Sequence, residues 1–451
     1  MPDAPDPQAH PFVRRPDRTI LTLSLPVMAS LVAEPLAGVV DTAFVEDLGA
    51  PAVAALGAAT ILISSGLWVF NFLGVGTQTR VAQAFGRGRP EEARETTALA
   101  VSLALVLGTA LLAAAWGAAP ALLAWMSDDA AVQELGVAYL RVRLLGAPAG
   151  LAVVALLGTL RGLQLMRAAL VVAAGMSALN VALDPLLIFG AGPVPALGVA
   201  GAAWATSVSQ VAGAVAAAGL TLRHLGKGVR VPWSRTAELL VVGRDMVLRT
   251  GALLLFLLMA SRASLQAGVE AGAAHQAIRQ VWLLTALLLD AFATTAQSLI
   301  GWFVGAGAVP LARRVAVRCC LWGLGVGAGL SVALWLLEDA TAALLVPPGA
   351  RQAFAGAWWI SAVAQPLNAL SFVTDGIHWG TGDFAWLRNA MLAASGVGLV
   401  ALATLDLARP GALARIWWVT ALWIVVRSGL GLLRIWPGQA TSPLAAGRSG
   451  R

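Results

Sequence analysis

Long apolar runs separated by short polar segments account for most of this chain. A helix needs roughly 20 mostly apolar residues to span a bilayer. Runs of at least this order lie near 20–45, 52–82, 92–117, 131–157, 165–190, 196–222, 238–262, 276–304, 312–338, 352–376, 386–406 and 412–434. The composition agrees, because 59% of the 451 residues are hydrophobic and only 12% are charged, against about 25% charged in a soluble domain. The sequence therefore predicts an all-α polytopic membrane protein with twelve transmembrane helices.

The runs divide into two sets of six, which predicts two six-helix lobes. Residues 1–19 are rich in proline and charge, so we expect a disordered cytoplasmic tail there. The predicted order is then an N-terminal lobe at 20–222, a cytoplasmic linker at 223–237, a C-terminal lobe at 238–436 and a C-terminal tail at 437–451.

The two sets resemble each other around the loop between their second and third runs. At one constant offset Gln78 matches Gln297, and Arg94 matches Arg313. This pattern indicates an internal repeat. Because six is an even number of spans, both repeats share one orientation, and such repeats commonly form two bundles around a binding site near the midplane.

Basic residues predict the orientation of the chain. The tails, the linker and the loops that fall on the same side as the N-terminus carry far more Arg and Lys than the loops of the other side. Cytoplasmic loops are enriched in these residues. We therefore expect a multi-pass protein of the cell membrane with both termini in the cytoplasm, and we assign the net charge of +7 to topology and not to nucleic-acid binding.

Three acids, Glu34, Asp41 and Asp184, interrupt the apolar runs of the first half. An ionised acid at the bilayer centre costs at least about 2.5 kcal/mol, so such residues are usually functional. Asp41 lies in the first run, seven residues after Glu34 and nearly on the same helical face. Asp184 lies four residues after Asn180, so this pair also shares a face. These residues predict a buried proton or cation site, with Na⁺ possible at Asp41, Asn180 and Asp184.

Other polar residues of the runs are weaker candidates. Tyr139 and Thr206 are suited to complete the shell of the site, but Tyr139 also fits an interfacial anchor, and Thr206 also fits a bond back to its own helix. Asp184 also fits a packing contact, and Asp41 a position near the outer surface. Pro26, in the first run, favours a kink. Asp290 of the second half is a candidate for attracting a cationic substrate.

A set of segments then resembles a known family. EPLAGVVDTA, QAFGRGRPEEAR and LRGLQ followed by NVALDPLLIFG are together similar to the multidrug and toxic compound extrusion (MATE) family, in its DinF-like branch (DNA-damage-inducible protein F). The resemblance implies an antiporter that exports lipophilic, often cationic compounds in exchange for H⁺ or Na⁺. It also implies that Asp41, Asp184, Asn180, Tyr139 and Thr206 form the coupling network and that the first helix bends at Pro26. We expect no other cofactor, contact with membrane lipid, and a monomer.

A flippase for lipids or lipid-linked oligosaccharides is the alternative function. Such a protein needs a basic interior to bind phosphate, whereas the charge found inside the runs is acidic. An enzyme is not expected, because the scattered histidines form no HExxH motif and no G-x-S-x-G motif occurs. An ATP-driven pump is disfavoured because the chain has no GxxxxGK[ST] loop.

Overall fold

The computed structural model describes residues 5–228, 231–436 and 441–445, and the side chain of Glu34 lies outside the described part. Long helices occupy all twelve predicted runs. They are α1 (Pro16–Glu46), α2 (Ala50–Gly86), α3 (Pro90–Met126), α4 (Ala130–Gly162), α5 (Met166–Ile188), α6 (Val199–Leu225), α7 (Thr236–Gln266), α8 (Val269–Gly305), α9 (Val309–Leu336), α10a (Arg351–Val363) with α10b (Gln365–Thr381), α11 (Phe384–Ala403) and α12 (Ala412–Ile435).

The tenth run is broken. Within the described part, 11 helices are long and apolar enough to cross a membrane, and neither piece of the tenth run is among them. The break falls at Ala364, two residues before Pro366. Proline has no backbone N–H and its ring clashes with the preceding turn, so the continuous helix predicted for 352–376 is interrupted there.

The first 19 residues correct a prediction, because the described residues 5–19 are ordered. A short helix at Pro11–Arg14 precedes α1, and its start is capped by His10 Nδ1, which accepts a hydrogen bond from the Phe12 N–H at 3.2 Å. Phe12 is fully buried and packs with its ring centroid 5.8 Å from that of Phe303. The short helix and the buried Phe12 side chain anchor this segment, although its polar composition predicted disorder.

Two compact units divide the chain at points that differ from the predicted boundaries. One unit is Leu25–Gly243, here called the N unit. The other, the C unit, holds the described residues up to Ser24 together with those from Arg244 onward. Both divisions fall inside a helix, α1 and α7, whereas the prediction placed them after residue 19 and within the 223–237 linker. The assignment of lobes as functional domains stays a prediction.

Small residues let α4 approach α2 closely within the N unit. A Cβ atom at Gly158 would lie 2.4 Å from the carbonyl oxygen of Gly74, and one at Gly162 would lie 2.8 Å from that of Gln78. Only glycine fits such an approach, as in the small-xxx-small contacts of membrane helices.

The C unit repeats this contact between α10b and α8. A Cβ atom at Gly376 would lie 2.1 Å from the carbonyl oxygen of Ala293, and one at Gly380 would lie 2.7 Å from that of Gln297. Gln297 is the residue that the sequence repeat matches to Gln78. The internal repeat therefore appears in the packing of each unit as well as in the sequence.

A second pair of contacts follows the same repeat. In the N unit, Gly108 of α3 packs against Pro148 of α4, where a Cβ atom would come within 2.5 Å of the proline Cα. In the C unit, Gly327 of α9 packs against Pro366, with the corresponding distance at 2.6 Å. In each half, the helix that carries the proline is thus held against its neighbour by a glycine.

Candidate functional site

The two predicted acids meet inside the N unit. Asp41 on α1 is 9% exposed and Asp184 on α5 is fully buried. Their carboxyl groups are close enough to act directly on each other. Among the described residues, no donor reaches Asp41 Oδ1 or either oxygen of Asp184. Two buried carboxylates without donors are costly, so this arrangement accommodates a shared proton or a bound cation.

Asn180 and Thr206 lie beside this pair. Asn180, 5% exposed, stands one helical turn before Asp184 on α5. Its Nδ2–H donates to Thr206 Oγ1 at 3.3 Å, and the Thr206 hydroxyl donates to the Ala202 carbonyl oxygen at 3.0 Å. Thr206 thus makes the bond to its own helix and also orients the Asn180 amide.

Tyr139 is buried within the N unit. It is 3% exposed and belongs to an apolar cluster that includes Val45 and Ile188. These two residues follow Asp41 and Asp184 by one helical turn each, so the cluster that contains Tyr139 extends to within one turn of both acids. Its side chain faces the protein interior, which does not fit the alternative of an interfacial anchor.

Arg143 is a charged neighbour that the sequence analysis missed. It lies on α4, is 9% exposed, acts electrostatically on Asp41, and donates through Nη1 to Gln210 Oε1 at 3.2 Å. The signal was available, since Arg143 interrupts the apolar run at 131–157. With both acids ionised, one arginine leaves a single negative charge, which one proton or one monovalent cation would balance.

Three further predicted residues are Pro26, Glu34 and Asp290. Pro26 lies inside α1, two residues beyond the unit boundary at Ser24. Glu34 belongs to the same helix, but its side chain lies outside the described residues. Asp290 belongs to the C unit, is partly exposed, and acts electrostatically on Arg427. Part of its negative charge is therefore balanced by an arginine of the protein, which weakens its attraction for a cationic substrate.

The C unit carries a buried charge cluster that the sequence analysis also missed. Asp375 on α10b accepts hydrogen bonds from Arg249 of α7 and Arg427 of α12. All three side chains are buried. The statement that charge inside the spans is acidic was therefore wrong, because Arg143, Arg249 and Arg427 are all buried within helices.

The Asp41–Asp184 pair can also be considered as a metal-binding site. Within the described residues, no group of three or more His, Cys, Asp and Glu side chains could hold a metal ion. The oxygen-bearing side chains at the site are the two carboxylates, the Asn180 amide and the Thr206 hydroxyl bonded to it. Na⁺ binding by Asp41, Asn180 and Asp184 stays a prediction.

Two repeated units of long apolar helices, one of them with a sequestered acid pair, define a polytopic membrane transporter. The chain belongs to the MatE family, the multidrug and toxic compound extrusion proteins, whose family model matches residues 26–186 and 246–404. This membership and the predicted twelve-helix fold are confirmed.

Relatives and solved structures agree over nearly the whole chain. Protein DETOXIFICATION 44, chloroplastic, of Arabidopsis thaliana is 29% identical over 97% of this chain and 85% of its own length. DNA damage-inducible protein F of Escherichia coli is 27% identical over 94% of this chain and 93% of its own length. A crystal structure of MATE in the bent conformation superposes with a TM-score of 0.82 at 21% identity, covering 93% of this chain and 94% of that one.

Proposed function

We propose that this protein is a secondary antiporter that exports lipophilic or cationic small molecules in exchange for a cation bound at the Asp41–Asp184 pair. The observation that carries the proposal is the set of buried carboxylate oxygens without donors. Such a site is more favourable with a proton or cation bound than without one. A site of this kind alternates between two charge states, which is what ion coupling requires.

The proposed cycle uses the pair as a switch. A cation enters from the outside and neutralises the negative charge left by Asp41, Asp184 and Arg143. The N unit then changes shape and substrate leaves. When the pair faces the cytoplasm the cation departs, and substrate binds again. Pro26 lies in the helix that carries Asp41, so α1 is the proposed moving element; Asn180, Thr206 and Tyr139 set the geometry of the pair.

A proton is the favoured coupling ion, because a single proton placed between two facing carboxyl groups supplies the missing donor. Sodium needs several oxygen ligands, of which Asp41, Asp184 and Asn180 offer a partial set. We further propose an inner-membrane location with both termini in the cytoplasm, a monomer that contacts membrane lipid and no nucleic acid, no cofactor beyond the coupling ion and no enzymatic activity.

A lipid or lipid-linked oligosaccharide flippase remains the second candidate. The buried arginines Arg143, Arg249 and Arg427 favour it more than the sequence analysis allowed, since arginine is well suited to bind phosphate. The acid pair without donors, which a flippase does not require, favours the antiporter.

The test is transport of ethidium in proteoliposomes, with pH and sodium gradients imposed separately. The unmodified protein should move dye when one of these gradients is present. Asp41→Asn and Asp184→Asn should each lower the rate at least about tenfold, because loss of a coupling charge removes the driving step. Asp47→Asn is the matched control, since Asp47 is exposed in the loop after α1. Full gradient-driven transport by both Asn variants of the pair would refute the proposal.

A further inference from the structure

The arginines of the C unit have hydrogen-bond donors that the protein does not use. Arg427 is 3% exposed and Arg249 is 7% exposed. Both donate to the same atom, Oδ2 of Asp375. Among the described residues, Nε and Nη1 of Arg427 and Nε of Arg249 are buried without an acceptor. Unsatisfied donors on a buried charged group are rarer and more costly than unsatisfied neutral ones.

Neighbouring acids do not satisfy these donors. Asp375 occupies one nitrogen of each guanidinium group, and Asp290 acts on Arg427 through charge without reaching its Nε or Nη1. The groups therefore offer three nitrogens whose N–H donors are free for a further acceptor.

Aromatic rings cover the faces of both guanidinium groups. The Arg249 guanidinium lies 5.3 Å from the ring centroid of Trp379. The Arg427 guanidinium lies 5.0 Å from the ring of Phe372 and 5.5 Å from that of Trp423. The site therefore combines cationic donors with flat apolar walls. This combination suits a carboxylate attached to an apolar body, since guanidinium matches carboxylate geometry and aromatic rings bury apolar surface.

The buried polar atoms of the two units also differ in kind. At the acid pair of the N unit the unsatisfied atoms are acceptors, whereas at the arginine cluster of the C unit they are donors. The first needs a proton or cation, and the second needs an anion or another acceptor. One chain thus holds two buried sites of opposite polarity, and a single ligand chemistry does not explain both.

We propose that Arg249 and Arg427 form a binding site in the C unit for small organic carboxylates with an apolar body. The proposal adds an anionic class with an apolar body to the lipophilic and cationic substrates of the proposed function, and it rests in that respect on the proposed function. Because both arginines are buried, the ligand enters when the surrounding helices open, and its carboxylate then accepts hydrogen bonds from the free donors. Asp375 holds the two guanidinium groups in place.

The test is equilibrium dialysis of the full-length protein in detergent with radiolabelled benzoate, and with uncharged benzamide as the paired probe. The unmodified protein should bind benzoate more tightly than benzamide. Arg427→Lys and Arg249→Lys keep the positive charge that Asp375 needs but remove the planar guanidinium group and with it the fixed Nε–H and Nη1–H donors. Each should weaken benzoate binding about 10- to 100-fold, the value of one charged hydrogen bond, and leave benzamide binding unchanged.

Arg434→Lys is the matched control. Arg434 lies two turns further along α12 and donates to Asp383 at 2.8 Å, so its replacement should leave benzoate affinity unchanged. Thermal melting confirms that each variant is folded, and the two lysine variants serve as independent tests. Benzoate binding that is undetectable, equal to that of benzamide, or insensitive to both lysine substitutions would overturn the proposal. Because this assay measures binding alone, it stands apart from the ethidium transport assay of the antiport function.

Discussion

Asp41 on α1 faces Asp184 on α5, and the two carboxyl groups meet where no donor of the described residues reaches the oxygens of Asp184. The two helices are separated by three others in the chain, so the pair exists only because the N unit folds. An isolated acid in either helix would have to be neutralised or face a water-filled space. Together they form one site whose charge changes by a single proton or cation.

Replacement of Asn180 should lower the transport rate more than replacement of Thr206. Asn180→Ala removes the polar group nearest Asp184 along α5, and we expect ethidium transport to fall about tenfold or more. Thr206→Val keeps the side-chain shape but loses the 3.3 Å bond to Asn180, and we expect a smaller loss of about two- to fivefold, in line with one neutral hydrogen bond.

Thr42→Val is the control for these variants. Thr42 is exposed on α1 directly after Asp41, and its hydroxyl donates to the Gly38 carbonyl oxygen at 2.9 Å, so its removal should leave transport near the unmodified rate. Equal losses in Thr42→Val and Asn180→Ala would show that the effect is not specific to the site.

The buried N-terminal segment makes a prediction about stability. Phe12→Ala removes a fully buried ring that packs on Phe303 and should cost about 3–5 kcal/mol. Thermal melting in detergent, followed by size-exclusion chromatography, should show a clear loss of stability. Phe85→Ala alters an exposed phenylalanine of α2 and should change little. A melting temperature for Phe12→Ala that equals that of Phe85→Ala would mean that the segment does not pack as described.

The glycine contacts predict equivalent behaviour in the two halves. Gly327→Ala would place a Cβ atom 2.6 Å from Pro366, and Gly108→Ala would place one 2.5 Å from Pro148. Both should destabilise the protein by about 1–3 kcal/mol through overpacking. Gly329→Ala is the matched control, because nothing lies within 4 Å of its added Cβ and alanine favours a helix. The account of the repeat fails if Gly329→Ala lowers the melting temperature as much as Gly327→Ala.

The sequence predicted the elements and part of the site for physical reasons. Apolar runs located all twelve helical regions because a bilayer demands a minimum length of apolar helix. Asp41, Asp184 and Asn180 stood out because charge and amides are rare in such runs. Composition failed for the N-terminal tail, since it does not show that Phe12 has a partner at Phe303, which is distant in sequence.

The missed arginines have a different cause. Arg143, Arg249 and Arg427 lie inside predicted helices, and a count of basic residues for topology does not separate those in loops from those in spans. Whether an arginine in a span pairs with Asp375 or acts on Asp41 depends on helix packing, which the hydrophobic pattern does not specify. The break in the tenth helix at Ala364 could have been predicted from the sequence, because Pro366 follows within two residues.

The central claim is that Asp41 and Asp184 together gain and lose one cation, and infrared difference spectroscopy of the purified protein tests it most directly. The difference between the spectra recorded at acid and at alkaline pH should contain a band of protonated carboxylic acid. This band should be absent in both Asp41→Asn and Asp184→Asn and should remain in Asp47→Asn. Addition of Na⁺ at constant pH should remove the same band if sodium competes for the site. A spectrum that is identical in the unmodified protein and in both Asn variants of the pair would contradict the account.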